Sequence, residues 1–278
     1  MEEKQLWWAC SDGKVEEVRK LLQNSQINTN WQNDSNDLTT PFYIACYEGH
    51  IDIVKILLND KRVDINKTNN GWTPFWVACC EGRTEIVKLL LNDNRIDFNK
   101  ASNSGYTPLY SACCYGRIDI VKLLLNDKRV DINKPNLWNE TPFWIACCEG
   151  RTEIVKLLLS DNRVDVNQER NDGSTPFHIA CYHGKTEALK YLLESGREID
   201  INKKDNDGKT GLDWAREKGN TDIVELIESF KKKIEDQKNK FEEEEDKRKK
   251  GEPKSIFIFF LKKNNQQNTF FLLFRIKL

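Results

Sequence analysis

The chain has 278 residues, 31% of them charged and 38% hydrophobic, with 43 Lys/Arg against 44 Asp/Glu. A net charge of −1 excludes the overall positive field expected of a nucleic-acid binder, and the apolar runs near the C-terminus, 256–261 and 270–274, fall well short of the ~20 residues a bilayer span needs. Nine cysteines, behind an opening Met1-Glu2-Glu3-Lys4 with no basic-then-apolar leader, predict a reducing, cytoplasmic setting and leave the nucleus open.

The first predicted unit, about residues 1–34, holds Trp7-Trp8-Ala9-Cys10-Ser11-Asp12-Gly13, then Val15, Val18, Leu21 and Leu22. Two short apolar stripes broken by a glycine make the pattern of a helix pair. From Thr40 onward one phrase recurs: Thr-Pro, an apolar residue, an aromatic or His, one more residue, Ala-Cys, two variable residues, Gly. Its copies begin at Thr40, Thr73, Thr107, Thr141 and Thr175, spaced 33, 34, 34 and 34 residues apart. Such a period marks stacked supersecondary units that bury their apolar faces only against one another.

In the copy starting at Thr73, the hydroxyl is placed to cap a helix whose first residue is Pro74. Phe75, Ala78 and Cys79 form one stripe, and Gly82 is free to end the helix at positive φ. Thr84 is expected to cap a second helix, with Ile86, Val87, Leu89, Leu90 and Leu91 as its apolar face and Lys88 outward. Ile96-Asp97-Phe98-Asn99 alternates as a brief extended segment, and Asn103-Ser104-Gly105 turns back to Thr107. An extra charged residue in loops such as Asn126-Asp127-Lys128-Arg129 is expected to lengthen the period to 34. Lys55, Lys88, Lys122, Lys156 and Lys190 align on the second helices, where a solvated face is the better reading than a basic stripe.

These residues resemble the ankyrin repeat. Its Gly-x-Thr-Pro-Leu-His-x-Ala opening stands as Gly71-Trp72-Thr73-Pro74-Phe75-Trp76-Val77-Ala78 and as Gly105-Tyr106-Thr107-Pro108-Leu109-Tyr110-Ser111-Ala112. Its central Gly-His-x-x-Ile-Val-x-x-Leu-Leu stands as Gly49 to Leu58, and its closing Val-Asn as Val166-Asn167. Thr210-Gly211-Leu212-Asp213-Trp214-Ala215, then Gly219, Ile223, Val224, Leu226 and Ile227, resembles a closing unit. The resemblance implies an all-α ankyrin-repeat solenoid over 1–229, with β-hairpin-like loops and seven units of about 1–34, 35–67, 68–101, 102–135, 136–169, 170–204 and 205–229. The family's histidine is Tyr43, Trp76, Tyr110 and Trp144 here and is kept only as His178, which puts its hydrogen-bond network in question.

Cys10, Cys46, Cys79, Cys113, Cys147 and Cys181 take one small helix position and act as compact hydrophobes. Cys80, Cys114 and Cys148 follow at a more open one. Equivalent residues of adjacent units lie about 8–10 Å apart, too far for a disulfide or a shared zinc. His50, His178 and His183 are the only histidines, and Cys181 and His183 point apart on one helix. With no phosphate loop or metal motif, the sequence supports neither enzyme nor cofactor; a thiol enzyme or redox switch ranks last.

What remains is a non-catalytic scaffold or adaptor that holds another protein on the concave face of hairpin tips and first helices. Candidate contacts are the variable positions Tyr47, Trp72, Cys80, Glu81, Tyr106, Cys114, Tyr115, Trp138, Glu140, Cys148, Glu149, Tyr182 and His183. Trp76, Tyr110 and Trp144, behind the aromatic band of Trp72, Tyr106 and Trp138, are expected to pack between first helices. Glu48, Glu81 and Glu149, with a net charge of −7 before residue 230, favour a basic or apolar partner over an acidic one and disfavour nucleic acid.

Residues 230–250 read as a charged helix continuing the last unit, with Ile223, Ile227, Phe230, Ile234 and Phe241 near a/d spacing, interrupted at Gln237. Pairs such as Glu243–Lys247 and Glu244–Arg248 support it. Residues 251–278 are expected to be a disordered or non-native tail. A membrane-associated adaptor using that tail is the alternative reading.

Overall fold

The computed structural model describes residues 1–34 and 38–249. The expectations for residues 251–278, and for side-chain pairs beyond Glu243, lie outside the described residues. Fourteen helices among them follow as seven pairs: α1 (Glu2–Ser11) with α2 (Val15–Leu22), α3 (Pro41–Glu48) with α4 (Ile51–Asn59), α5 (Pro74–Glu81) with α6 (Thr84–Leu91), and α7 (Pro108–Cys114) with α8 (Ile118–Asn126). The rest are α9 (Pro142–Glu149) with α10 (Thr152–Leu159), α11 (Pro176–Tyr182) with α12 (Thr186–Glu194), and α13 (Gly211–Glu217) with α14 (Thr221–Lys249). The odd-numbered helices pack in succession as one layer and the even-numbered ones as a second. The fold is an all-α repeat solenoid. The boundary expected at residue 229 falls inside α14, which continues unbroken from the last unit.

Each first helix starts as its Thr-Pro predicts. The hydroxyls of Thr40, Thr73, Thr107 and Thr141 accept the N–H of the residue three on, at 3.0–3.1 Å, and proline follows where a missing N–H costs nothing. Gly49, Gly82 and Gly150 close their helices at φ of 93°, 80° and 68°. Thr84 does not cap the second helix. It is the first helical residue, and Arg83, whose carbonyl accepts from Val87 N–H, takes the cap position. An acidic first-turn residue, such as Asp52 or Glu85, meets the helix dipole instead.

The core is one continuous column. Phe42, Phe75, Leu109, Phe143 and Phe177 are fully buried beside the Ala-Cys pairs, from Ala45-Cys46 to Ala180-Cys181. Burying one such large side chain contributes roughly 1.5–3 kcal/mol relative to leaving it in water. The small Ala-Cys positions let adjacent first helices approach closely.

Three hydrogen-bond ladders lock the units together. Arg62, Arg95, Arg129 and Arg163 each reach back to a C-terminal carbonyl of the preceding second helix: Leu22, Leu58, Leu91 and Leu125, at 2.6–2.9 Å. Helix ends leave such carbonyls unpaired, and a cation there also meets the negative end of the dipole. An aspartate two residues earlier (Asp60, Asp93, Asp127 or Asp161) aims each guanidinium through an ion pair of 2.5–2.6 Å. In the second ladder Asn66, Asn99 and Asn133 each donate to one backbone carbonyl of the next unit and accept one of its N–H groups. In the third, Arg83, Arg117 and Arg151 donate from Nε to the carbonyls of Tyr47, Cys80 and Cys114 at 2.8–3.0 Å.

Two sequence expectations are corrected. Ile96 to Asn99 is not extended; it lies in turns, because Asp97 and Asn99 spend their hydrogen bonds on the asparagine ladder. The residue that lengthens the period is also elsewhere. Asp60, Asp93, Asp127 and Asp161 all stand at the same offset from their Thr-Pro, whereas the loop tip has two residues between Asn69 and Trp72 and three between Ser102 and Tyr106.

Asn99→Ala strips a partner from the Arg129 carbonyl and the Asp131 N–H, so it is expected to cost about 1–2 kcal/mol; a urea midpoint unchanged from the parent's would contradict this. The arginine hydrogen bonds hold the Asp60, Asp93, Asp127 and Asp161 carboxyls below the usual carboxylate range. A depressed carboxylate stabilises the fold above its unfolded pKa, about 4, and that contribution is lost as pH falls through the folded value. Urea titrations across pH 2–6 should therefore show an acid limb in the parent that is shallower in the variant with all four aspartates changed to Asn.

Candidate interaction surface

The loop tips and first helices form one face. Between the second and third Thr-Pro phrases the tip is a two-residue turn, Asn70-Gly71, with φ of 47° and 86° and paired bonds between Asn69 and Trp72. Positive φ at both central residues is the hairpin geometry that Asn-Gly favours. The later tips are tied to one another through backbone bonds: Leu137 N–H to the Ser104 carbonyl, Asn171 N–H to that of Trp138, and Asn206 N–H to that of Asp172, at 3.0–3.2 Å.

The aromatic band divides as expected. Trp76, Tyr110 and Trp144 are buried. In front of them Trp72, 38% exposed, stacks on Trp76 with centroids 5.0 Å apart. Half-buried Tyr106 leans on Tyr110 at 4.9 Å and on Trp138 at 5.9 Å. Trp138 is 42% exposed and its neighbour Leu137, which sequence reasoning missed, 68%. The signal was present: Leu137-Trp138 stands where other tips carry small polar residues.

Two of the residues that replace the family histidine, Trp76 and Tyr110, take over its cross-unit bonding, whereas the buried Trp144 Nε1 has no hydrogen-bond partner. His178 links its unit to the next through Nε2 and the Lys209 carbonyl, 3.2 Å apart, and accepts Thr175 N–H at Nδ1; burial pushes its pKa down, favouring the neutral ring. Trp76 makes the equivalent bond from Nε1 to the Tyr106 carbonyl at 3.1 Å, and Trp7 donates to Thr39 Oγ1 at 3.0 Å. Tyr110 donates its hydroxyl to Glu140 at 3.0 Å.

Glu140 is therefore turned inward. It is buried, and it also accepts from Asn136 Nδ2 at 2.6 Å and pairs with Arg170 at 3.0 Å. Cys80 is buried too, so neither residue offers much surface. Cys114, Cys148 and Tyr182 are half-buried, and Tyr47, Tyr115, Glu149 and His183 are exposed. Glu48, Glu81 and Glu149 share their end of the helices with the third ladder's arginines, and Arg151 lies 3.9 Å from Glu149. That row is consequently mixed in charge rather than acidic. Lys55, Lys88, Lys122 and Lys156 each pair with an acidic residue one turn back, on the exposed second-helix surface.

A family model described as ankyrin repeats (3 copies) matches residues 2–69, 61–136 and 143–238. Helix pairs, loop tips and matched span together define a repeat protein of the helical solenoid class, and the chain belongs to the ankyrin-repeat family. Comparison with curated proteins gave no match. Members of the family generally mediate protein–protein interaction and are typically non-catalytic. Among the described residues no helix is long and apolar enough to cross a membrane, and no group of His, Cys, Asp or Glu is placed to hold a metal ion.

Burial pushes the thiols up: Cys148 to about 11, Cys80 to about 12, Cys114 in the same direction, and the six core cysteines further. Because the thiolate is the nucleophile, iodoacetamide at neutral pH should label the folded protein slowly, Cys114 and Cys148 ahead of the rest. Mass spectrometry of the time course would refute this if any core cysteine reacted first.

Proposed function

We propose that this chain is a non-catalytic interaction scaffold whose protein partner lies across the concave side, against the tips and first helices of the middle units. The observation that carries the reading is the exposure of Trp72, Leu137 and Trp138 on loop backbones already fixed by hydrogen bonds. Large rigid aromatics lose little rotamer freedom on binding and dominate interface energetics. A pre-ordered backbone lowers the ordering cost of association. The uncharged tips, Thr68 to Trp72, Ala101 to Tyr106 and Pro135 to Asn139, match the charge-poor, aromatic centre of protein interfaces. With carboxylates and guanidiniums alternating on the flank, the centre of the contact suits an apolar segment.

The test is proximity labelling in cells, followed by affinity capture of the labelled partners with the parent and with a Trp72→Ala, Trp138→Ala variant. Removing two anchors should weaken binding by on the order of 30-fold or more, as interface hot spots do. Equal recovery of every partner by both proteins would move the contact off this surface.

A further inference from the structure

The backbone of the aromatic tips is already paired. The N–H and carbonyl of Trp72 both bond to Asn69. Tyr106 N–H donates to Ser102 Oγ, and its carbonyl accepts from Ser102 N–H and Trp76 Nε1. Leu137 N–H goes to the Ser104 carbonyl and Trp138 N–H to Asn136 Oδ1, while both of their carbonyls accept from Asn171. The side chains differ. Among the described residues no acceptor meets the indole N–H of exposed Trp72 or Trp138, or the hydroxyl of half-buried Tyr106.

The surface therefore presents aromatic faces and unspent donors on tips that carry no charge. An added β-strand needs a free backbone edge, and these tips have none. A helix spends its carbonyls internally and has none to give along its length. A charged segment would leave water over the tips without gaining a counter-ion. An ordinary extended chain brings an N–H with every carbonyl, and here those N–H groups meet no unpaired acceptor. A proline-rich segment in the polyproline II conformation fits better, because its carbonyls make no internal bonds and its N–H groups are few. Its rings suit aromatic platforms, and the preformed conformation leaves little entropy to lose.

Spacing agrees. Trp72 and Tyr106 hold the same position in successive units, roughly 8–10 Å apart. One polyproline II turn, three residues, advances about 9.3 Å. Trp72 on Trp76 is one platform, and Tyr106 with Trp138 is the next; exposed Leu137 extends the second. We propose that the partner segment held on this face is proline-rich, with successive turns of polyproline II over the two platforms and carbonyls accepting from Trp72, Tyr106 and Trp138. The proposal rests on the tips being the contact surface and names the chemical class of what they hold.

The test uses the full chain and two fluorescent peptides of about twelve residues, four turns of polyproline II: a Pro-Pro-Leu repeat and a Thr-Ser-Leu repeat. Anisotropy should give the proline peptide at least a roughly tenfold tighter Kd than its twin. Trp72→Phe and Trp138→Phe each keep an aromatic ring and remove the donor, so each should weaken binding roughly 3- to 10-fold, as the loss of one hydrogen bond does. Trp72→Ala with Trp138→Ala should weaken it on the order of 30-fold or more while circular dichroism is unchanged. In nitrogen-15 spectra the two indole N–H signals, assigned from the Phe variants, should shift as the proline peptide is added. The proposal is overturned if neither peptide binds, if both bind equally, or if the Phe variants bind as the parent does. Cellular partners that need Trp72 and Trp138, with no binding of the proline peptide, would leave the contact surface standing and reject this ligand. Partners captured equally by the parent and the double Ala variant would remove the surface itself, and this ligand with it.

Discussion

In the second helices α2, α4, α6 and α8 one late carbonyl, that of Leu22, Leu58, Leu91 or Leu125, is completed by the arginine of the next unit. Much of the architecture depends on this complementarity between an exposed helix end and a neighbour's guanidinium. Helices of eight or nine residues are too short to be stable alone in water. Each is held because its apolar face and its terminal backbone groups are both completed by the next copy. Asp60 and its equivalents fix the arginine in the posture needed, so two residues and a loop turn act as one connector repeated along the stack.

Stacking of this kind also explains the face offered to partners. Side chains between first helices are committed to neighbours: Trp76 and His178 use different chemistry to make the same bond to the loop of the following unit. Glu140 joins Tyr110, Asn136 and Arg170 in one buried network, and that network supports the tip carrying Leu137 and Trp138. A carboxylate at a position that is aromatic in the two preceding units therefore serves the interface from beneath it.

The end of the array obeys different physics. The first helix layer stops at α13, whereas α14 runs on to Lys249. Beyond Phe230 its described side chains are mostly charged, with Ile234 and Phe241 separated by Gln237.

How much was legible in advance depended on whether a feature was local. The Thr-Pro caps, the closing glycines, the Ala-Cys core and the helix running past residue 229 can be read from residues within one turn of each other, and repetition makes them unambiguous. Thr84 was misread because a threonine before an apolar run looks like a cap, although the glycine turn already starts the helix at Arg83. The role of the Asp-x-Arg pairs was not legible, because their partner is a backbone carbonyl 37 to 40 residues away that has no sequence signature. Glu140 likewise occupies the variable position of a contact residue and turns inward only because three groups from three successive units, Tyr110, Asn136 and Arg170, converge on it. Sequence alone determined the repeating unit and its hydrophobic interior, since both arise from short-range periodicity. Tertiary structure decided which variable side chains face solvent and which brace the stack, because that choice is made by partners one full repeat away.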